Sequence, residues 1–228
     1  MYKTFVFDLD GTLLDTLGDL AAAVNFSLHR HGMPEHSVDD VRRFVGNGVR
    51  RLMERAVPQG AENPLFDDAL QTFRTYYLEH SLDTTRPYDG IPEMLQELKR
   101  RGKRLAVVSN KFQAATEELC RHFFPDTIEV AIGENEKAGI RKKPAPDTVY
   151  EALRRLGYPP SALHPSPSTL PPSAVYVGDS DVDIATARNS HLPCISVLWG
   201  FRDREFLEEH RAMTLVAKPH DLLSFLKG

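Results

Sequence analysis

Short runs of apolar residues recur along the chain, and each run is rich in valine, isoleucine or aromatic side chains. Continuous apolar runs of this length are typical of strands that are buried on both faces. Helical patterns stand between most of these runs. Because such strands are joined by right-handed crossovers, the alternation predicts an α/β fold with a mostly parallel sheet. The runs lie at residues 4–9, 104–109, 128–132, 174–178 and 194–199.

Residues 15–85 break this alternation. Apolar residues from Leu17 to Leu28 fall at helical spacing, and further amphipathic patterns cover residues 49–57 and 66–80. No convincing strand stands among them. The pattern therefore predicts an all-helical insertion between the first strand and the rest of the sheet.

A two-domain organisation follows from this pattern. We expect residues 1–14 and 86–228 to form a doubly wound core with a Rossmann-like sheet, and residues 15–85 to form the inserted helical domain. Pro87 and Gly90 follow the insertion and are typical of a linker or hinge.

The composition is that of an ordinary globular protein, because the 228 residues are 41% hydrophobic and 26% charged with a formal net charge of -4. A chain of this length can bury a sizeable core. The basic residues form short, scattered clusters that are typical of solvated helix faces, so we expect no nucleic-acid partner. The histidines are spread singly, which disfavours a zinc site.

No apolar run approaches the roughly 18 residues that a membrane span needs, so we expect no membrane partner. The N-terminal segment carries no pattern of a secretory signal. Cys120 and Cys194 stand far apart in apolar contexts, which is typical of buried thiols in a reducing compartment. These features predict a cytoplasmic protein and leave a monomer and a homodimer both open.

Two carboxylates, Asp8 and Asp10, end the first apolar run. Side chains at positions i and i+2 of an extended segment project to the same side, so both can face a cleft at the carboxyl end of the strand. A turn at Gly11 and Thr12 would explain Asp10, since aspartate favours turns. It explains Asp8 poorly, because a carboxylate inside a buried strand is costly to desolvate unless a cation meets it. A divalent metal ion would meet it.

Three more carboxylates, Asp179, Asp181 and Asp183, follow another apolar run. Acids this close together repel one another unless they cap a helix or bind a metal ion. Hard oxygen ligands suit Mg²⁺, which takes one or two carboxylates and keeps several waters. We expect Asp181 to be a helix N-cap, with support of the metal site as the alternative.

Two further segments add polar groups beside predicted strands. Ser109 and Asn110 stand at the end of the second apolar run and could hold phosphoryl oxygens. Lys142 and Lys143 precede a proline at a predicted helix start, where a fixed ammonium group could face the same cleft.

The segments "DLDGT", "SN", "KPAPD" and "GDSDVD" occur in this order, each after or beside a predicted strand. Together they resemble the motifs of the haloacid dehalogenase superfamily of aspartate-nucleophile phosphohydrolases. The resemblance covers nearly the whole chain, because the helical insertion is similar to the cap that this superfamily places between its first and second motifs.

The resemblance implies a role for each matching residue. Asp8 would attack phosphorus and become an aspartyl phosphate, which divides one difficult hydrolysis into two displacements. Asp10 would protonate the leaving alkoxide and then deprotonate the attacking water. Ser109 and Lys143 would stabilise charge on the transferring phosphoryl group.

The resemblance also implies Mg²⁺ as the cofactor. Asp8, the backbone carbonyl of Asp10 and Asp179 would hold the ion, and Asp183 would support the metal site or Lys143. The other residues that we expect around the phosphoryl group are Gly11, Thr12 and Asn110.

Three neighbouring residues receive lesser roles. Lys143 matches the "KPxP" pattern, so we expect Lys142 to be a solvated neighbour. Thr12 would support the metal-site turn through its hydroxyl group. Asp15 resembles the acid that opens the cap in related phosphatases, but a helix N-cap or hinge residue describes it better.

Within the superfamily, the chain looks most like the phosphoglycolate phosphatases. Dehalogenases and phosphonoacetaldehyde hydrolases lack the second aspartate that Asp10 supplies, which disfavours cleavage of C-halogen and C-P bonds. The latter enzymes also need a cap lysine, and this chain has no lysine between Lys3 and Lys99.

A glycine-rich loop in the predicted cap, Gly46, Asn47 and Gly48, opens a predicted helix. Its N–H groups and the helix dipole suit a small carboxylate, and Arg50 or Arg51 could add positive charge. A glycine-rich turn that only starts the helix explains the loop equally well. Closure of the loop over the nucleophile would select the substrate and exclude water. The predicted substrate is a small-molecule phosphate ester, 2-phosphoglycolate or a similarly small one.

Other activities remain open at this point. They are β-phosphoglucomutase-like phosphoryl transfer, pyrophosphatase or nucleotidase activity, and generalist hydrolysis of small esters. A catalytically idle phosphate-sensing or partner-binding module is disfavoured, because all the catalytic positions are filled. The proline-rich residues 159–173 are longer than the turn that we expect there, and they predict an extended surface loop without a catalytic role.

Overall fold

Six parallel strands form the main sheet of the protein, as seen in a computed structural model that describes residues 2–135, 138–159 and 173–226. The strands of the described residues are β1 (Thr4–Phe7), β2 (Leu14–Asp15), β3 (Arg86–Pro87), β4 (Arg104–Phe112), β5 (Val130–Glu134), β6 (Ala174–Gly178), β7 (Cys194–Val197) and β8 (Leu215–Val216). The main sheet has the order β5-β4-β1-β6-β7-β8, and all its pairings are parallel. The predicted parallel sheet is confirmed.

Helices cover both faces of this sheet. Those of the described residues are α1 (Leu17–Arg30), α2 (Val38–Phe44), α3 (Val49–Ala56), α4 (Phe66–His80), α5 (Ile91–Arg100), α6 (Gln113–Phe123), α7 (Asp147–Arg155), α8 (Asp181–Asn189) and α9 (Arg204–Glu209), with 3₁₀ turns at Gly60–Glu62 and Pro219–Leu226. Phe5 and Phe7 pack with α5 and α6 on one face, whereas Val6 packs with α7 and α8 on the other. Both faces are buried, which explains why the strands read as continuous apolar runs.

Helices α1 to α4 pack on one another in an apolar cluster of their own, which we call the helical insert (residues 17–80). Phe112 and Phe201 reach this cluster from the sheet side. The predicted helix at residues 66–80 forms with those bounds, whereas the weakly apolar α2 was not predicted. The insert matches the expected helical segment, and its standing as a separate domain stays a prediction.

The two ends of the insert lie side by side. Strand β2 pairs antiparallel with β3, a short ladder that the sequence did not predict. The buried carboxylate of Asp19 in α1 accepts hydrogen bonds from the backbone N–H groups of Thr84 and Thr85, each at 2.9 Å. The Asp19 side chain, at the start of the insert, thereby holds in place the segment of Thr84 and Thr85, where the chain leaves the insert.

Two predicted helix caps differ from the structure. Ser180 is the N-cap of α8 and forms a reciprocal capping box with Asp183, so the prediction that Asp181 is the N-cap is wrong by one residue. Asp15 lies in β2, and its carboxylate accepts a 3.3 Å hydrogen bond from the N–H of Leu17. The proline-rich residues 159–173 lie almost wholly outside the described residues. None of the described helices is long and apolar enough to cross a membrane.

We expect Asp19→Asn to destabilise the protein by about 2 kcal/mol. The asparagine side chain keeps one acceptor oxygen, but its NH₂ group would face one of the two backbone N–H donors. That buried N–H group is then left without a partner. Urea denaturation measures the change. Asp68→Asn, an exposed site on α4, is the matched control and should stay within about 0.5 kcal/mol of the wild type. Equal losses in the two variants would contradict the role of Asp19.

Candidate active site

The carboxyl ends of three neighbouring strands bring the sequence motifs together. Strand β1 lies between β4 and β6, with Phe7 level with Val107 and Val177. The N–H of Asp8 donates a 2.9 Å hydrogen bond to the carbonyl of Val177, which extends this alignment by one residue. Asp8, Ser109 and Asp179 therefore leave the sheet at the same edge, as expected for a parallel sheet.

The ammonium group of Lys143 occupies the centre of this edge. Its Nζ atom lies 2.7 Å from Oδ1 of Asp8, 2.9 Å from Oδ1 of Asp183 and 3.1 Å from the hydroxyl oxygen of Tyr176. The side chain is buried. Of the two candidate lysines, Lys143 therefore reaches the site, while Lys142 has no contact with its carboxylates among the described residues.

The side-chain amide of Asn110 holds Lys143 in place. Its Oδ1 atom accepts a 2.7 Å hydrogen bond from the N–H of Lys143, and its Nδ2 atom donates a 3.0 Å hydrogen bond to the carbonyl of the same residue. From the sequence, we expected this amide to hold phosphoryl oxygens. The structure instead directs both of its polar atoms to the backbone of Lys143.

The carboxylate of Asp183 is fully occupied by hydrogen bonds. Oδ1 accepts from Lys143 and from the hydroxyl of Tyr176 at 2.8 Å. Oδ2 accepts from the hydroxyl of Ser180 at 2.5 Å and from the N–H groups of Asp179 and Ser180. Of the two roles predicted for Asp183, support of the metal site and support of Lys143, the geometry therefore favours the second.

Asp179 is held by the turn after β1 and by the segment after β7. Its Oδ1 accepts a 3.0 Å hydrogen bond from the hydroxyl of Thr12, and its Oδ2 accepts a 2.8 Å hydrogen bond from the N–H of Phe201. Thr12 is fully buried and supports the turn as predicted, so its side chain does not face a substrate. A Cβ atom at Gly11 or Gly200 would overlap Asp179. Gly11 thus makes room for this carboxylate.

The site concentrates negative charge away from water. Oxygen atoms of Asp8, Asp179 and Asp183 lie within 4.8 Å of one another, and all three residues are buried. Burial, and then the charge of Asp183, raise the pKa of Asp8 well above its usual range and raise the pKa of Asp179 to about 7. Burial alone would also raise the pKa of Asp183, but the Lys143 ammonium and several hydrogen bonds lower it.

The donor set fits a divalent cation. Three buried carboxylates face a single ammonium group in direct contact, so the cluster holds an excess of negative charge. The raised pKa values of Asp8 and Asp179 have the same cause. Carboxylate oxygens are the ligands that Mg²⁺ prefers, and a bound dication would offset the charge that burial disfavours.

Asp10 faces a second buried lysine that the sequence analysis did not consider. Nζ of Lys111 lies 3.1 Å from Oδ1 of Asp10 and 2.6 Å from the hydroxyl of Tyr77, a residue of α4 in the helical insert. The hydroxyl of Ser109 lies 3.5 Å from Oδ2 of Asp10. Lys111 is the third polar residue in "VVSNK", and its place just after the apolar run of residues 104–109 was the available signal.

A small cavity of about 70 Å³ opens above these groups, between the sheet edge and the insert. The loop of residues 46–48 lines it, and all three of its residues have positive φ angles. A Cβ atom at Gly48 would lie 3.4 Å from the carbonyl oxygen of Asn110, so the loop runs close to the sheet edge. The residues that line the cavity include Asp8, Asp10, Val45, Gly46, Asn47, Gly48, Ser109, Asn110, Lys111, Lys143, Asp179, Ser180, Phe201 and Arg202.

Arg50 does not line this cavity, which corrects its assignment to substrate binding. Its side chain is exposed and turns toward α4, where it pairs with Glu54 at 3.3 Å and Asp67 at 3.4 Å. The guanidinium group also lies 4.9 Å from the ring centre of Phe66. Helix α3 buries Val49, Leu52, Met53 and Ala56, and Arg50 lies outside this apolar face.

The arginine that does line the cavity is Arg202, which comes from the sheet side. It follows Gly200 and Phe201, the residues that contact Asp179. No local sequence pattern marks Arg202 as a site residue, because its position depends on tertiary packing against the insert.

Comparison with known proteins agrees with this geometry. The family model for haloacid dehalogenase-like hydrolases matches residues 5–197. A phosphoglycolate phosphatase from Aquifex aeolicus is 32% identical over 200 residues, which cover 87% of this chain and 86% of the relative. N-acetylmuramic acid 6-phosphate phosphatase from Pseudomonas aeruginosa is 29% identical over 226 residues, which cover 98% of this chain and 94% of the relative.

The fold also matches that of a solved structure. The crystal structure of a candidate phosphoglycolate phosphatase from Lactobacillus delbrueckii subsp. bulgaricus matches with a TM-score of 0.89 at 34% identity, over 100% of this chain and 99% of that one. The predicted likeness to phosphoglycolate phosphatases, and with it the expectation of a phosphatase, is confirmed. The chain therefore belongs to the haloacid dehalogenase-like hydrolases, the family that its sequence motifs predict.

Proposed function

We propose that the protein is a Mg²⁺-dependent phosphomonoester hydrolase that acts through an aspartyl phosphate on Asp8. The observation that carries this proposal is the contact between Lys143 and Asp8 at the strand edge where Asp10, Ser109 and Asp179 also meet. A nucleophile, a proton carrier and a fixed cation thereby surround one small cavity.

Asp8 is suited to attack phosphorus with one of its two oxygens. Its Oδ1 atom is held by the N–H of Leu9 at 2.7 Å and by Lys143. Oδ2 makes no such contact with the described residues and is the oxygen that we assign as nucleophile. Bond formation from Oδ2 to phosphorus displaces the alkoxide and leaves the phosphoryl group on Asp8.

Asp10 is placed to move the proton in both steps. It would donate a proton to the departing alkoxide and later take one from the water that attacks the aspartyl phosphate. Lys111 and Ser109 fix the orientation of its carboxylate. Because Lys111 also binds Tyr77 of the insert, the proton carrier is anchored to both sides of the cavity.

Stabilisation of the phosphoryl oxygens falls to Lys143 and Ser109. Phosphoryl transfer depends largely on positioning and on neutralisation of charge, which a buried, immobilised ammonium group supplies without reorganisation. Asn110 fixes the backbone of Lys143, and Asp183 with Tyr176 fixes its side chain.

Asp8, Asp179 and the backbone carbonyl of Asp10 would hold Mg²⁺. When bound, the ion supplies positive charge to the nucleophile and to the phosphoryl oxygens. Asp183 acts indirectly in this proposal, because its oxygens already accept hydrogen bonds from Lys143, Tyr176 and the start of α8.

We propose 2-phosphoglycolate, or an ester of similar size, as the substrate. The small cavity and the loop of residues 46–48 support a compact ester, and the Aquifex aeolicus relative is named a phosphoglycolate phosphatase. The Pseudomonas aeruginosa relative favours N-acetylmuramic acid 6-phosphate as a second candidate. Both esters carry a carboxylate besides the phosphate group.

The first experiment is a comparison of kcat/KM for phosphate release with Mg²⁺ present. The panel contains 2-phosphoglycolate, N-acetylmuramic acid 6-phosphate, sugar phosphates, nucleotides and pyrophosphate. We expect a preference of about 100-fold or more for 2-phosphoglycolate, equivalent to about 2.7 kcal/mol of transition-state binding. Asp8→Asn serves as the blank, because it removes the nucleophile. A flat profile would refute the specific substrate and leave a generalist phosphatase.

We further expect the stabilisation by Mg²⁺ to increase with pH. Burial raises the pKa of Asp8 and Asp179, so their protonated forms favour folding below about pH 4, and this stability is lost as the pH rises through about 7 for Asp179. Mg²⁺ binds the ionised carboxylates, so it should raise Tm more at pH 8 than at pH 5.

Thermal denaturation in EDTA and in Mg²⁺ across this pH range tests the expectation. The readout is the difference between the wild type and Asp179→Asn, because this difference cancels the pH dependence that the two proteins share. The variant should lose most of the Mg²⁺ effect at pH 8. An equal Mg²⁺ effect in both proteins would rule out Asp179 as a ligand.

A further inference from the structure

Three cationic side chains line the cavity within the described part of the chain: Lys111, Lys143 and Arg202. Lys143 is paired with two carboxylates, and Lys111 is paired with Asp10. Arg202 forms no ion pair with any described carboxylate. It lies over the ring of Phe206, 5.2 Å from the ring centre, and is therefore the cation of the cavity whose charge no described carboxylate balances.

The guanidinium group of Arg202 is fixed by neutral partners. Its Nη1 atom donates a 3.0 Å hydrogen bond to the carbonyl of Arg42, and its Nη2 atom donates a 2.7 Å hydrogen bond to the carbonyl of Val45. The Nε atom is buried and has no hydrogen-bond partner among the described residues. A buried N–H donor without an acceptor is costly, so a ligand that accepts from Nε would remove this cost.

Arg202 lies where a substituent remote from the phosphoryl group would reach. The preceding residue, Phe201, contacts Asp179 through its backbone N–H. On the other side, a Cβ atom at Gly46 would lie 3.8 Å from Nη2 of Arg202, so the guanidinium group borders the glycine-rich loop. The side chain thus joins the catalytic carboxylates to the loop expected to bind the rest of the substrate.

The arginines of α3, the helix that follows the loop, already have other partners. Arg50 pairs with Glu54 and Asp67, and Arg51 pairs with Glu54 at 2.8 Å. Arg55 donates a 2.7 Å hydrogen bond to the carbonyl of Phe44 and does not line the cavity.

We infer that Arg202 is a substrate-binding residue that selects phosphate esters bearing a second anionic group, a carboxylate separated from the phosphate by a short carbon chain. This inference rests on the proposed function and adds the residue that would determine its specificity. Arginine suits the role, because its planar donors match a carboxylate and its charge persists at all physiological pH values.

The selection follows from an asymmetry between charged and neutral esters. A carboxylate pairs with a guanidinium group that is already held in position, so little conformational entropy is lost on binding. A neutral ester of similar size fills the cavity but leaves Nε and the positive charge without a partner. We expect the wild type to prefer the charged ester by about 10- to 100-fold in kcat/KM, the range of one charge-assisted hydrogen bond.

The test compares 2-phosphoglycolate with ethyl phosphate in four proteins: the wild type, Arg202→Gln, Arg202→Lys and Arg204→Gln. The glutamine keeps an NH₂ donor for the carbonyl of Val45 while it removes the charge. Arg204 is the matched control, because it is exposed and pairs with Glu208 on α9. We expect Arg202→Gln to lose about 10- to 100-fold on 2-phosphoglycolate and less than about threefold on ethyl phosphate. Arg202→Lys should recover part of the loss, and Arg204→Gln should match the wild type.

Equal losses on both esters in Arg202→Gln would overturn the inference and make Arg202 a structural contact of the insert. A wild type that hydrolyses the two esters equally would overturn it as well, while the proposed phosphatase activity stood. If neither ester is hydrolysed, the proposed function fails, and calorimetric binding to the Asp8→Asn protein decides the inference separately. Binding of 2-phosphoglycolate must then exceed that of ethyl phosphate and fall in the Asp8→Asn, Arg202→Gln protein.

Discussion

The buried ion pair network around Lys143 is the interaction on which the rest of the site depends. A single ammonium group satisfies Asp8 and Asp183 away from water, and removal of one partner would leave an uncompensated buried charge. The surrounding sequence serves this contact: Asn110 fixes the backbone of Lys143, and Tyr176 binds both the ammonium group and Asp183. Because these residues belong to four segments, the same contact that positions Asp8 also joins the end of β1, strands β4 and β6, and the start of α8.

Close backbone approach is the second constraint, and it explains glycines that carry no chemistry. Side chains at Gly11 and Gly200 would overlap Asp179, and a side chain at Gly178 would overlap Asp183. The two carboxylates can thus lie next to backbone that donates hydrogen bonds to them, as the N–H of Phe201 does to Asp179. Such contacts compensate part of the cost of burying an acid without a further cation.

Much of the core was predictable because parallel strands end at one edge, so that polar residues directly after apolar runs must meet. This reasoning placed Asp8, Ser109 and Asp179 together without any knowledge of side-chain packing. It gave wrong predictions where the position of a residue depends on which face of a helix is buried, or on which of several neighbouring residues caps a helix. Arg50 was misplaced because α3 packs its apolar side inward, and Asp181 was misjudged because Ser180 and Asp183 cap α8 reciprocally. Arg202 could not be found, since its partners are backbone carbonyls about 160 residues away in sequence.

The contributions of the sheet and the insert to the cavity are less separate than their positions in the chain suggest. The insert contributes apolar walls and the loop of residues 46–48, yet the cations that contact it, Lys111 and Arg202, both come from the sheet side. Lys111 also pairs with Asp10, and Arg202 directly follows Phe201, whose N–H binds Asp179. A displacement of the insert that separated these groups would break the hydrogen bonds to Tyr77 and Val45. Lys111 and Arg202 therefore couple the position of the insert to the orientation of Asp10 and of the segment that contacts Asp179.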